Sequence, residues 1–423
     1  MPGVSAGEID VREVIRRGAV EIHFQPIASI RRKALIGVEA LTRYTAADGT
    51  RIAPDALFAR AATEGLAVEL DRVCREAALR QFQPLHASDP ALVLFANCDG
   101  AAFDADASGP AGWAEAVKRA GIDPRNVAIE ILESATRDAA AMREAIWRYK
   151  ESGFLVVMDD VGVGHSNLER IAFVKPDMIK ADRALVRNLH DDYHAQAVFR
   201  SLVELSERIG GWVVTEGVER QEQALAALDL GGDMFQGFYF ARPDRADAPG
   251  AVEGAMSRIQ ETASRFKSYK LDQIRSARER RDERTLLARV IAARLEGQDL
   301  REPEESLARL IRPYPHILSA CLLDAQGIQV TDTVLNLWQV QRQNTVIFRP
   351  PERGTDHSLK EYHYMVAEAG VDPFETDPYV PLPSGDLCVT VSTLLRVPAG
   401  PPRTLCLHMR AELREVSQRG GPA

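Results

Sequence analysis

The chain has 423 residues, 45% hydrophobic and 27% charged, enough for two or three domains of an ordinary globular protein. Its formal net charge of −9 argues against a partner that is a nucleic-acid polymer, which would call for a basic excess. Five scattered cysteines (Cys74, Cys98, Cys321, Cys388, Cys406) lack any CxxC spacing, which argues against a disulfide framework or a cysteine-based zinc site and for a reducing, cytoplasmic setting. The first 17 residues are mixed and charged, and no stretch reaches the ~20 apolar residues a membrane helix needs, so no membrane insertion is expected.

In chain order, Ile9, Val11, Val14 and Ile15 share one side of a short helix over residues 8–18. Residues 20–27 and 34–44 read as strands. Only Arg31, Arg32 and Lys33 stand near the link, too short a connection for a helical crossover, so this pair is expected to be antiparallel. Helices over 54–64 and 68–82 precede a strand at 92–97. Helices near 111–120, 137–152, 168–173, 193–209 and 219–229 then precede strands at 127–130, 154–159, 177–180, 212–216 and 234–236. Eight strands, mostly alternating with helices, predict a (β/α)8 TIM-type barrel with an antiparallel first strand. No GxGxxG or Walker loop supports an open nucleotide-binding sheet.

Barrel chemistry sits at the C-terminal ends of the strands. Those ends carry Glu39, Asn97, Glu130, Asp159 with Asp160, Lys180, Glu216 and Gln236. Any one of them alone reads as a solvated strand end. Together, the carboxylates and the amide form a hard-oxygen set suited to Mg²⁺ or Mn²⁺ and exceed what one ion needs. Two ions, as in phosphoryl-transfer enzymes, fit the set. Adjacent carboxylates at the end of the apolar run 154–158 also demand a positive neighbour. Gly162 and Gly164 follow them and give the backbone freedom to turn.

These residues also carry a resemblance. Glu39-Ala40-Leu41 with Arg43, Phe24-Gln25-Pro26-Ile27, Asn97, Glu130-Ile131-Leu132-Glu133, Asp159-Asp160-Val161-Gly162, Lys180, Glu216-Gly217-Val218-Glu219 and Gln236-Gly237 run in order over residues 8–245 and resemble the EAL-domain phosphodiesterases that hydrolyse cyclic di-GMP. The resemblance implies that Glu39, Asn97, Glu130 and Asp159 hold one metal. Asp159, Asp160 and Glu216 hold a second, with Asp159 bridging. It implies that Lys180 touches the attacking water, Arg43 pairs with a substrate phosphate, and Gln25, Gln236 and the backbone at Leu41 contact the ligand. It implies further that Glu133 braces the loop after Asp160, that the product is pGpG, and that the enzyme is a homodimer. Val161 and His165 depart from the usual Phe and Tyr of that loop. A member that binds cyclic di-GMP without hydrolysing it is the alternative, and such members commonly lack an acid. An unrelated metal-dependent barrel enzyme would leave Arg43, Gln25 and Gln236 unexplained.

Residues 1–247 are assigned to the barrel, 248–300 to a linker and 301–423 to a smaller α/β domain. The linker reads as one long helix with a narrow apolar stripe through Met256, Ile259, Phe266, Ile274 and Ala277. After it, a hairpin over 316–332, a helix near 358–369, and strands at 377–382, 386–396 and 403–409 are similar to PAS/Cache-like sensor domains. Such a domain serves either dimerisation or an unidentified small ligand.

Overall fold

The computed structural model describes residues 10–46, 49–98, 109–131, 139–161, 168–247, 251–296, 298, 302–336, 350–381, 386–397 and 400–411. Two compact units meet in the sequence between Lys270 and Leu271. Among the described residues no helix is long and apolar enough to cross a membrane.

The first unit is a closed barrel of eight strands. β1 (Glu21–Ser29) and β2 (Ala34–Thr45) pair antiparallel, as their short link requires. β3 (Arg51–Ile52) extends the hairpin outside the barrel. β4 (Val93–Cys98), β5 (Val127–Ile131), β6 (Leu155–Val161), β7 (Met178–Ala181), β8 (Trp212–Thr215) and β9 (Met234–Phe235) follow in parallel order from β2. β9 closes the ring against β1, antiparallel, through Ala28↔Phe235.

Period-two alternation sorts each strand into two faces. Leu94, Val127, Ile129, Val156, Met158, Ile179, Val213 and Phe235 point outward into the core shared with the helices. Ile27, Phe95, Ala128, Val157, Met178, Val214 and Met234 fill the interior. With both faces covered, the strands read as apolar runs rather than alternating ones. The interior layer fixes the layer above it. Two residues beyond Phe95, Ala128, Val157, Met178, Val214 and Met234 stand Asn97, Glu130, Asp159, Lys180, Glu216 and Gln236. On β1, which runs the other way, Gln25 precedes Ile27. On β2 the residue below Glu39 is Gly37, and there is no room for a side chain there. A Cβ would lie 2.3 Å from the Val93 carbonyl oxygen and 2.7 Å from the Phe95 ring.

The helix Ala251–Glu296 contributes to both units. In the first, Ala255, Ile259 and Thr262 are buried, and Lys270 pairs with Asp229. In the second, Ala288, Ile291, Ala292 and Leu295 pack with Leu307 and Ile311 against one face of a five-stranded sheet. Ile274, expected on the apolar stripe, is 53% exposed. The sheet order is β11 (Val334–Leu335), β10 (Ile317–Leu323), β14 (Arg403–Arg410), β13 (Cys388–Leu395), β12 (Phe374–Glu375), all antiparallel. Arg284 reaches Glu375 through a forked pair, at 3.0 Å from Nε and 2.6 Å from Nη2.

Three elements of this unit differ from the sequence expectation. The helix Pro303–Ile311 was not anticipated, although Pro303 at its first turn with Glu304 and Glu305 is a helix start. The second arm of the expected hairpin over 316–332 makes only isolated bridges, Leu323↔Gln329 and Ile328↔Asp356, after a turn in which Asp324 Oδ1 accepts from the amides of Gln326 and Ile328. Residues 377–381 make a single bridge, Tyr379↔Cys388, since Pro378 and Pro381 have no N–H to donate to a ladder.

The Gly37 contact gives a direct test. Gly37→Ala is expected to destabilise the barrel by about 1–3 kcal/mol, the cost of forcing atoms into a packed core. Its denaturant midpoint should fall, and an unchanged midpoint would contradict the packing described.

Candidate active site

Side chains of neighbouring strand residues normally point to opposite faces, so two adjacent acids should not reach one site. The register explains how they do here. Met158 pairs with Ile179 and Val161 with Ala181, so Asp159 and Asp160 together oppose the single residue Lys180. This is a β-bulge, the device that re-aims a side chain. Asp160 adopts φ of 55°, in the left-handed region, and its amide donates to Asp159 Oδ1 at 2.9 Å. Aspartate tolerates that conformation at a cost of about 1 kcal/mol or somewhat more. As a result, Asp159, Asp160 and Glu216 bring carboxylate oxygens within 4.8 Å of one another.

Lys180 lies at the centre of the ring, 1% exposed. Its Nζ is 2.7 Å from Glu130 Oε1, 2.7 Å from Glu216 Oε1, 3.2 Å from Glu39 Oε2 and 3.6 Å from Asp159 Oδ1. Burial disfavours the ammonium, but Glu130, Glu39, Glu216 and Asp159 outweigh it and hold the proton far more tightly than usual. Burial also disfavours charge on Glu39, yet Lys180 and the amides of Gln236 and Asn97 keep its pKa below the ordinary carboxylate value. Asn97 Nδ2 donates to Glu39 Oε1 at 3.1 Å, and Gln236 Nε2 donates to both Glu39 Oε2 and Gln25 Oε1. The other two acids go the opposite way. Burial, reinforced by Glu39, pushes Glu130 well above the usual range, and burial lifts Glu216 to about 7 against the pull of Lys180. Four carboxylates around one ammonium leave the ring short of positive charge, and these raised values express the deficit.

The ring fits divalent cations. Glu130 Oε2 and Gln236 Oε1 are buried and take no hydrogen bond among the described residues. The donor set is carboxylate and amide oxygen, which suits hard ions. Beside Glu39 and Asn97, a cleft of about 380 Å³ is lined by Leu41, Arg43, Asp55 and Phe58. Arg43 Nη1 donates to the Thr42 carbonyl at 2.9 Å. Gln25 Nε2 donates to the Ala241 carbonyl at 3.2 Å. The structure therefore gathers Gln25, Glu39, Asn97, Glu130, Asp159, Lys180, Glu216 and Gln236 into one network, Asp160 beside it and Leu41 and Arg43 along the cleft. Glu133, Gly162, Gly164 and His165 lie outside the described residues, while Val161 is buried in β6. Sequence reading missed the Asp71–Arg75 ion pair on the cleft wall, 2.6 Å long and nearly inaccessible, with the guanidinium over Trp113. The i,i+4 spacing of two opposite charges among apolar helix residues was its only signal.

Comparison with known proteins gives the family of the barrel. The family model for the EAL domain matches residues 9–243. The bifunctional diguanylate cyclase/cyclic di-GMP phosphodiesterase MucR of Pseudomonas aeruginosa is 28% identical over 244 residues, 56% of this chain and 35% of MucR. The chain spans only 29% to 44% of the length of the curated relatives it matches. Among solved structures, the Bacillus subtilis YkuI protein, with an EAL domain and in complex with substrate c-di-GMP and calcium, superposes with a TM-score of 0.74 at 21% identity. That likeness, one of fold, covers 95% of this chain and 99% of YkuI. Klebsiella pneumoniae BlrP1, in a manganese/cyclic di-GMP complex, gives 0.50 at 27% identity over 54% of this chain and 57% of BlrP1. A family match over more than half of the chain, on a barrel whose strand ends carry the acid ring, places this protein in the EAL domain family.

Proposed function

We propose that the barrel hydrolyses cyclic di-GMP to linear pGpG with two divalent cations, Mg²⁺ or Mn²⁺. The observation that carries this reading is the complete acid ring, with its second aspartate delivered by the bulge in β6. MucR and BlrP1 support the choice of substrate, the first by its described activity and the second by the ligand and manganese it was solved with. Glu39, Asn97, Glu130 and Asp159 would hold one cation, and Asp159, Asp160 and Glu216 the other. When bound, such ions lower the pKa of a shared water and offset charge on the phosphate oxygens.

The chain's own residues do the rest. Arg43 lies along the cleft beside Glu39, where its planar fork suits a phosphate oxygen pair. Gln25 and Gln236, already joined at 3.1 Å, anchor the ligand and keep the Glu39 carboxylate turned into the ring. Lys180, its proton held tightly, donates to the attacking water and keeps the carboxylates from repelling one another apart. Members that bind without hydrolysing commonly lack an acid of the ring, and every acid named for it is present here.

The decisive experiment incubates the full chain with cyclic di-GMP and Mg²⁺ or Mn²⁺ and separates the products by chromatography. pGpG is expected, and tight binding with no pGpG would overturn hydrolysis in favour of the receptor role. Glu39→Ala should keep its far-UV circular dichroism and lose at least about 100-fold in turnover, since removing even an outer-shell partner of a metal costs up to that much. A fully active, metal-replete Glu39→Ala protein would sink the ligand assignment. Lys180→Met strips the ring of its cation. In chelator its unfolding free energy should drop by about 3 kcal/mol, the cost of unpairing buried charge, and added Mn²⁺ should recover part of the loss. Equal stability with and without Mn²⁺ would show that the ring takes no metal.

A further inference from the structure

The second unit buries a polar network that plays no part in the barrel's chemistry. On the sheet face away from Ile291 and Leu295, Cys321 of β10 and Cys406 of β14 are direct cross-strand partners. They pack with Leu323 and Tyr362. His408 lies two residues beyond Cys406 on the same face. Its Nδ1 is 2.8 Å from Thr390 Oγ1 and 3.2 Å from Tyr379 OH. Tyr362 stands edge-on to the His408 ring, with centroids 6.2 Å apart. The network continues from Tyr362 OH to His357 Nδ1 at 2.6 Å, and from His357 Nε2 to Gln329 Oε1 at 3.0 Å.

We infer that Cys321 and Cys406 form a redox-active dithiol that a peroxide converts to an intramolecular disulfide. Partners in an antiparallel pair have Cα atoms about 4.5–5.5 Å apart. That falls inside the roughly 4.4–6.8 Å a disulfide spans. The strand spacing is therefore compatible with the bond. The bland reading, two small apolar core fillers, accounts for burial but not for the contacts. Cys74 and Cys388 show what burial alone does, since it pushes each thiol up to about 11. Cys321 goes the other way, down to about 6, because the neighbouring Cys406 thiol and the nearby His408 favour the thiolate over the pull of burial. Cys406, as donor, is held protonated. One sulfur is set up as nucleophile and the other as the resolving thiol beside it.

The step balances. The Cys321 thiolate attacks one oxygen of hydrogen peroxide, the O–O bond breaks, and the departing hydroxide takes up the thiol's proton as water. The Cys406 sulfur then attacks the sulfenic sulfur of Cys321. The S–S bond forms, the S–O bond breaks, and the hydroxide leaves with the Cys406 proton as a second water. Two thiols are oxidised by two electrons and the peroxide is reduced.

The test treats the reduced full chain with hydrogen peroxide, denatures it, alkylates the free thiols and maps peptides without reductant. Alkylatable thiols should fall from five to three, with one linked pair, Cys321 to Cys406, and dithiothreitol should restore all five. Cys406→Ser should instead trap a dimedone-reactive sulfenic acid at Cys321. His408→Asn, which leaves both thiols in place, should slow linkage about tenfold. Five thiols remaining after peroxide, or oxidation elsewhere without the linked pair, would overturn the inference. The His408→Asn readout stands even if a cysteine variant does not fold.

Discussion

One buried ammonium organises the barrel half of this molecule. Lys180 lies within 3.6 Å of four carboxylates from four strands, and acids gathered that closely in a buried site repel one another unless a cation sits between them. Removing a partner from a buried charge cluster costs several kcal/mol, so the lysine acts as a structural keystone whatever else it does. It is also insufficient. One positive charge cannot match its neighbours, and the molecule answers by holding Glu130 and Glu216 far more basic than free carboxylates. The ring is thus poised to exchange protons for metal.

The barrel beneath sets that geometry by counting. Phe95, Ala128, Val157, Met178 and Val214 plug the interior, and the next inward position on each strand is a ring residue. The apolar plug excludes water from below, which strengthens every charge interaction above it. Gly37 belongs to the same design, since the Phe95 ring occupies the space its side chain would need.

Much of this was legible in the sequence. The β/α rhythm, the antiparallel first pair and the ring residues all follow from periodicity, link length and strand-end chemistry. Three things were not. The bulge leaves no mark in the sequence, because Asp159-Asp160 reads identically whether the strand is flat or bulged, and only the pairing to Ile179 and Ala181 shows which it is. The Asp71–Arg75 pair resembles an ordinary exposed i,i+4 pair until the helix is packed. In the second unit, the pairing of Ile328 with Asp356 and the missing donors of Pro378 and Pro381 overrode strand propensity, a tertiary and local effect that a pattern of apolar residues does not record.

The bulge has an evolutionary side. A register shift is an integer: a strand either carries the extra residue or it does not, and no series of mild substitutions leads from one state to the other. A relative that deleted one residue near this point would keep every acid in its alignment yet turn one of them to the opposite face. Silence in such a protein would be invisible to any survey that scores the family by the identity of its acids, and visible at once in how the residues flanking the acids pair with the neighbouring strand.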